Sequence, residues 1–213
     1  MSGGEIGVGT AHGHDALGDA VFWGKSRLLI LRRLLRDASA RGRRRRYARL
    51  PSLPEGVVPL ARDEHRLYTA ADPRERALEL GKVQNLRVAT AALDGLVLEA
   101  GEVFSFWRAA GRATRAKGYV TGRELRQGCM IPSIGGGICQ LTNALSRVAH
   151  EAGMEIVERH SHSVHPPGFF IDATTDATVF WNYIDFRFRG ARRVRIGAKL
   201  TEATLVVRLD ALP

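Results

Sequence analysis

Gly135-Gly136-Gly137-Ile138-Cys139-Gln140 runs directly into Leu141-Thr142-Asn143-Ala144-Leu145-Ser146-Arg147-Val148-Ala149-His150-Glu151-Ala152-Gly153. In the second part Ile138, Leu141, Leu145, Val148 and Ala152 recur at the spacing of one helical face, which predicts a helix. Gly153 stands where a C-terminal cap glycine belongs. Cys139 therefore falls in the first turn of a helix entered from a loop with almost no side chains.

That position suits a reactive sulfur. First-turn N–H groups lack internal partners and carry partial positive charge, which favours an anion. A cysteine there ionises more readily, and the thiolate is the nucleophile. Glycines bring backbone close to a substrate, and their N–H groups could hold a developing oxyanion. Two other readings fit the same spacing. A free cysteine after a tight turn is often a buried structural residue. A glycine-rich helix start can also bind phosphate, although Cys139-Gln140 stands where a P-loop would place Gly-Lys.

Working outward, 213 residues with 45% hydrophobic and 25% charged content describe one globular domain with an appendage. Cys129 and Cys139 are too few for a disulfide scaffold, and a reducing compartment is the simpler expectation. The net charge of +10 is local: residues 25–49 hold eleven Lys/Arg and one acid, Asp37, and the remainder is balanced. Within that arm Leu28, Leu31 and Leu35 alternate with arginines in an amphipathic helix pattern over residues 21–36, and residues 41–46 contain five arginines. Such a segment fits an anionic membrane surface or nonspecific nucleic-acid contact, and equally a solvated tail. No aromatic interleaving supports specific nucleic-acid recognition. Residues 1–19 show no secretory signal, and Leu28-Leu29-Ile30-Leu31 is far shorter than a membrane span, so the expected location is cytoplasmic with membrane association through the arm.

Pro51, Pro54 and Pro59 read as a linker, which puts the domain boundary at residue 60: a basic arm over 1–60 and the folded domain over 61–213. Asp72-Pro73 opens a helix running to Asp94-Gly95, and Leu96-Val97-Leu98 is a short strand. After the central helix, residues 154–159, 177–181, 185–189, 194–200 and 204–209 read as strands. The expected fold is α+β: a central helix entered from a Gly-rich loop, packed on a mostly antiparallel sheet formed largely by the C-terminal half.

A cysteine nucleophile needs a base, and His160 and His162, two apart, would share one face of a strand. Asp172, Asp176 or Asn143, the last at i+4 from Cys139, could orient the imidazole. Cys139, His160, His162 and His165 also contain zinc-ligand types, but no Cys-x-x-Cys or His-Glu-x-x-His pattern accompanies them, so no metal and no cofactor is expected. Alternatively, the histidines are a polar strand end before Pro166-Pro167.

Several segments taken in order resemble the VanW family, named for an accessory protein of vancomycin-resistance clusters. They are Lys82-Val83-Gln84-Asn85-Leu86, Asp94-Gly95-Leu96, Gly101-Glu102-Val103-Phe104-Ser105-Phe106-Trp107, Lys117-Gly118-Tyr119 and the Gly135–Gln140 run, and then Glu158-Arg159 with His162, Asp176-Ala177-Thr178-Val179 and Asp185-Phe186-Arg187-Phe188. The resemblance puts Cys139 and His162 on motif positions with Asp176 as the orienting acid. Gly136, Gly137, Ile138, Gln140, Asn143, Arg159 and His160 are then the surrounding substrate or oxyanion residues. It implies cell-wall peptides, peptidoglycan stem peptides or their precursors, as the partner, and a cysteine acyl transfer of the L,D-transpeptidase kind. The competing expectation is a non-catalytic binding module for such peptides, anchored by the basic arm.

Overall fold

The computed structural model describes residues 24–33, 35, 47–69, 72–126, 129–162, 172–181 and 183–213. Two compact units divide the chain, Met1–Gly42 and Arg43–Pro213. In the first, residues 24–33 form helix α1, with Leu28, Leu29 and Leu31 exposed between basic residues. No helix among the described residues is long and apolar enough to cross a membrane.

The second unit is built on a five-stranded antiparallel sheet. Its strands are β1 (Ala48–Arg49), β2 (Pro59–Arg66), β3 (Leu96–Leu98), β9 (Val194–Leu200) and β10 (Thr204–Ala211), in the order β1-β3-β9-β10-β2. In β9 and β10 alternate residues point to one side. Val194, Ile196 and Ala198 join Leu205, Val207 and Leu209 in the core, with Leu209 opposite Ile196 and Val207 opposite Ala198. Two helices cover that face. Helix α2 (Arg76–Leu93) buries Val83, Leu86, Ala89 and Leu93 and packs against β9; helix α4 (Cys139–Glu151) buries Leu141, Ala144, Leu145 and Val148 and packs against β2 and β10. These are the residues the 3.6 period selects. Gly153 ends α4 with φ of 66° and donates its N–H to His150 O at 3.0 Å.

The folded unit takes in the proline-punctuated stretch, so the boundary expected at residue 60 lies inside it. Tyr47 is buried, stacks on Phe104 and donates to Val103 O at 3.1 Å. Buried Arg195 donates to Leu50 O at 2.8 Å and Pro51 O at 3.2 Å, tying that stretch to the back of β9. The prolines bend the chain between β1 and β2 without separating it from the sheet.

A three-stranded sheet, β4 (Val103–Ser105), β8 (Arg187–Arg189) and β7 (Glu155–Glu158), packs Phe104 against Phe188 with centroids 4.8 Å apart. Short helix α3 (Phe106–Ala110) follows β4, and Asp185 holds its start: Ser105 Oγ donates at 2.6 Å and the Trp107 N–H at 3.1 Å. A hairpin of β5 (Thr121–Arg126) and β6 (Cys129–Ile134) delivers the chain to the glycine turn. The strand expected at residues 177–181 does not form; it contributes one bridge, Phe180 to Ile184. Its backbone is claimed instead by α4 and by His160: Ala177 N–H donates to Asn143 Oδ1 at 2.7 Å, Thr142 Oγ1 donates to Ala177 O, and Thr178 N–H donates to His160 O at 2.8 Å.

Candidate active site

The glycine turn is built by close backbone approach. A Cβ on Gly136 would stand 2.4 Å from Gly122 O, one on Gly122 would stand 2.6 Å from Gly136 O, and one on Gly81 would stand 1.9 Å from Thr121 O. Helix α2, strand β5 and the turn thus meet where side chains are excluded. Asn85 of α2 clamps the junction, donating to Val120 O at 3.0 Å and Gly136 O at 2.9 Å while accepting from Val120 N–H at 2.8 Å. Gly137 adopts φ of 97°, and the Lys82 stem fills the space its Cβ would need, 2.1 Å from Cγ.

The turn delivers Cys139 as the first residue of α4, half-buried and a free thiol, with Sγ 3.6 Å from Thr178 Oγ1. Gly136, Ile138 and Gln140 spend their N–H groups on Ser133 O, Gly135 O and Gly137 O. Among the described residues nothing accepts from the N–H groups of Gly137 and Cys139, so these two are the ones available to an oxyanion.

His162 is brought to Cys139 from the segment after β7. Its Nδ1 lies 2.8 Å from Asp176 Oδ1, and its N–H donates to Asp176 Oδ2 at 2.7 Å. The imidazole is 8% exposed and Asp176 is fully buried, so the carboxylate fixes both ring and backbone of the histidine. The His162 pKa is pushed up to about 10, first by the Asp176 hydrogen bond and next by a hydrogen bond with Cys139, against the opposing pull of burial. Arg159 secures the acid-bearing turn, donating to Asp176 O at 2.7 Å and Ala173 O at 3.0 Å.

A cleft of about 790 Å³ opens on this group. Of the residues singled out in the sequence, Cys139, His162, Gly137, Ile138, Gln140 and Asn143 line it. Asp176 lies behind His162, and Asn143 orients the Ala177 peptide rather than the imidazole. Gln140 also ties α4 to β2, its Nε2 donating to Arg66 O at 2.8 Å. Gly136 is buried beneath the turn, and neither it, Arg159 nor His160 lines the cleft. His160 is half-exposed and pairs with Glu158 at 3.4 Å. Asp172 caps its own turn through Thr174 N–H at 2.9 Å. His165 lies outside the described residues, and among those described no three His, Cys, Asp or Glu gather as a metal set.

The sequence reading missed Lys82, Thr178 and the aromatic wall of Trp107 and Trp181, whose rings meet edge-on at 5.4 Å. Lys82 and Asn85 occur in one family-like segment, three residues apart on α2, and both face the glycine turn. Burial pushes the Lys82 ammonium down to about 8, with Glu79 opposing and Arg123 assisting.

A family model described as VanW like protein matches residues 81–209. The uncharacterized protein YoaR of Bacillus subtilis (strain 168) is 34% identical over 127 residues, 59% of this chain and 41% of that protein. The vancomycin B-type resistance protein VanW of Enterococcus faecalis (strain ATCC 700802 / V583) is 34% identical over 111 residues, 51% of this chain and 40% of that protein. The matches thus span about two fifths of the length of these curated relatives. No solved structure matches the chain.

Proposed function

The chain belongs to the VanW family, and from that premise we propose that its cleft is a cysteine acyl-transfer site acting on cell-wall peptides. The observation that carries this reading is the buried Asp176 carboxylate 2.8 Å from Nδ1 of His162, which lines the same cleft as Cys139. Cys139 Sγ attacks a peptide carbonyl carbon, and the carbonyl electrons move to an oxyanion facing the N–H groups of Gly137 and Cys139. Collapse breaks the C–N bond, and the leaving amine takes a proton from imidazolium His162. An acceptor amine, or water, then attacks the thioester and loses its proton to His162, and the thiolate departs. Asp176 stabilises the imidazolium throughout without itself taking the proton.

The proposed substrate is a peptidoglycan stem peptide or its precursor, a reading supported by the family resemblance and by a relative named for vancomycin resistance. The basic arm over residues 25–49 fits a supporting role at an anionic membrane surface, because α1 exposes Leu28, Leu29 and Leu31 between cationic residues. Incubation with a stem tetrapeptide, followed by intact-mass measurement, should show an acyl adduct on Cys139 in the wild type and none in Cys139→Ala. Full turnover by Cys139→Ala overturns the acyl-transfer reading, and binding without turnover in both proteins leaves a peptide-binding module.

A further inference from the structure

The cleft carries a charge balance that the acyl-transfer chemistry does not use. Arg66, Lys82, Arg112, Arg123 and Arg147 line it, against one carboxylate, Glu124. Two of these cations are occupied: Arg123 pairs with Glu75 at 2.8 Å, and Arg147 lies 3.1 Å from His65 Nε2 and 3.8 Å from Asp63. The guanidinium groups of Arg66 and Arg112 have no partner among the described residues.

Lys82 is the more telling group. Its side chain is 7% exposed, and its stem lies against Gly137, two residues before the sulfur. Its nearest acid is Glu79, 3.9 Å away and beyond hydrogen-bond distance, and that Glu79 oxygen already accepts from Thr69 N–H at 2.5 Å. A nearly buried ammonium with so little compensation is costly unless an anion reaches it from the open side. The low pKa of Lys82 records the same shortfall. The cleft volume suits a small ligand or the end of a peptide.

We infer that Lys82, with Arg66 and Arg112, forms a carboxylate-binding subsite beside Cys139, so that the cleft selects a short peptide end carrying a free carboxylate over an internal stretch of chain. The identity of the ligand as an acyl donor rests on the proposed function; the anion subsite does not, and it is measurable without any substrate.

Iodoacetate and iodoacetamide present the same electrophile and differ in the carboxylate. The ratio of their rates at Cys139, followed by peptide mapping and referred to the same ratio for glutathione, reads the subsite directly. The ratio should be raised about tenfold in the wild type, the scale of one partly screened ion pair. It should fall towards the glutathione value in Lys82→Met, which keeps the stem against Gly137, and in Arg112→Gln, and should recover in Lys82→Arg. Circular dichroism establishes that each variant is folded. A ratio equal to that of glutathione, one unmoved by both Lys82→Met and Arg112→Gln, or no labelling by either reagent overturns the inference. A raised ratio together with absent acyl transfer would instead retain the anion subsite and discard the proposed chemistry.

Discussion

At the scale of single residues, the account turns on how Asp176 and the glycine turn set up two side chains. The His162 pKa is raised from 6.5 to about 10, so its protonated form is the one folding favours. The stabilisation is complete below about 6.5 and is lost as pH rises through about 10. Asp176→Asn removes the largest cause; histidine NMR should show the ring titrating well below the wild-type value. Chemical denaturation should show the stability advantage of wild type over this variant shrinking as pH is raised towards 10. A ring that titrates alike in both proteins would remove Asp176 from its role. Gly137→Ala places a Cβ 2.1 Å from Lys82 Cγ at φ of 97°. It should cost about 1–3 kcal/mol, with a matching loss of Cys139 reactivity, measured by thermal unfolding and alkylation.

Helices and strands determine which of these residues could be read in advance. Helix α4 was legible because Leu141, Leu145 and Val148 repeat at 3.6 and are fully buried. Strands β9 and β10 were legible because they alternate. Strand β2 was not, since Arg62, Asp63, Glu64, His65 and Arg66 mask its alternation and it sits at a sheet edge, where charge is tolerated. Residues 177–181 carry a strand-like pattern, but their hydrogen bonds go to Thr142, Asn143 and His160, and side-chain partners of this kind leave no period in a sequence. Of the site, Cys139, His162 and Asp176 were visible through motif positions. Their support from Lys82 and Asn85 was hidden, because the α2 segment is over 50 residues from Cys139 and only the fold brings it beneath the turn. Asn85→Ala therefore tests an element contact: it strips Val120 N–H and Gly136 O of buried partners. Each group left unpaired should cost about 1–3 kcal/mol, read by urea unfolding; a neutral effect would mean that the α2–turn junction is not held as described.

Across the whole molecule, the two compact units separate a basic arm from the domain that carries the cleft. Removal of residues 1–42 should leave the thermal transition of the remainder within a few degrees of the full chain, since Tyr47 and everything after it supply the described core. The same deletion takes away the exposed leucines of α1 and six of the eleven basic residues over 25–49, so it should weaken sedimentation with anionic phospholipid vesicles, while sedimentation of the truncated chain at full strength would contradict the membrane role proposed for α1. The cleft chemistry is independent of that arm, and its central claim is that His162 activates Cys139. The most direct test is the rate of iodoacetamide alkylation of Cys139 at neutral pH, mapped by peptide mass, in wild type, His162→Ala and Asp176→Asn. A loss of about tenfold or more in His162→Ala, with a smaller loss in Asp176→Asn, is the expected result. Equal rates in all three folded proteins would contradict the account and leave Cys139 as a structural cysteine at the head of α4.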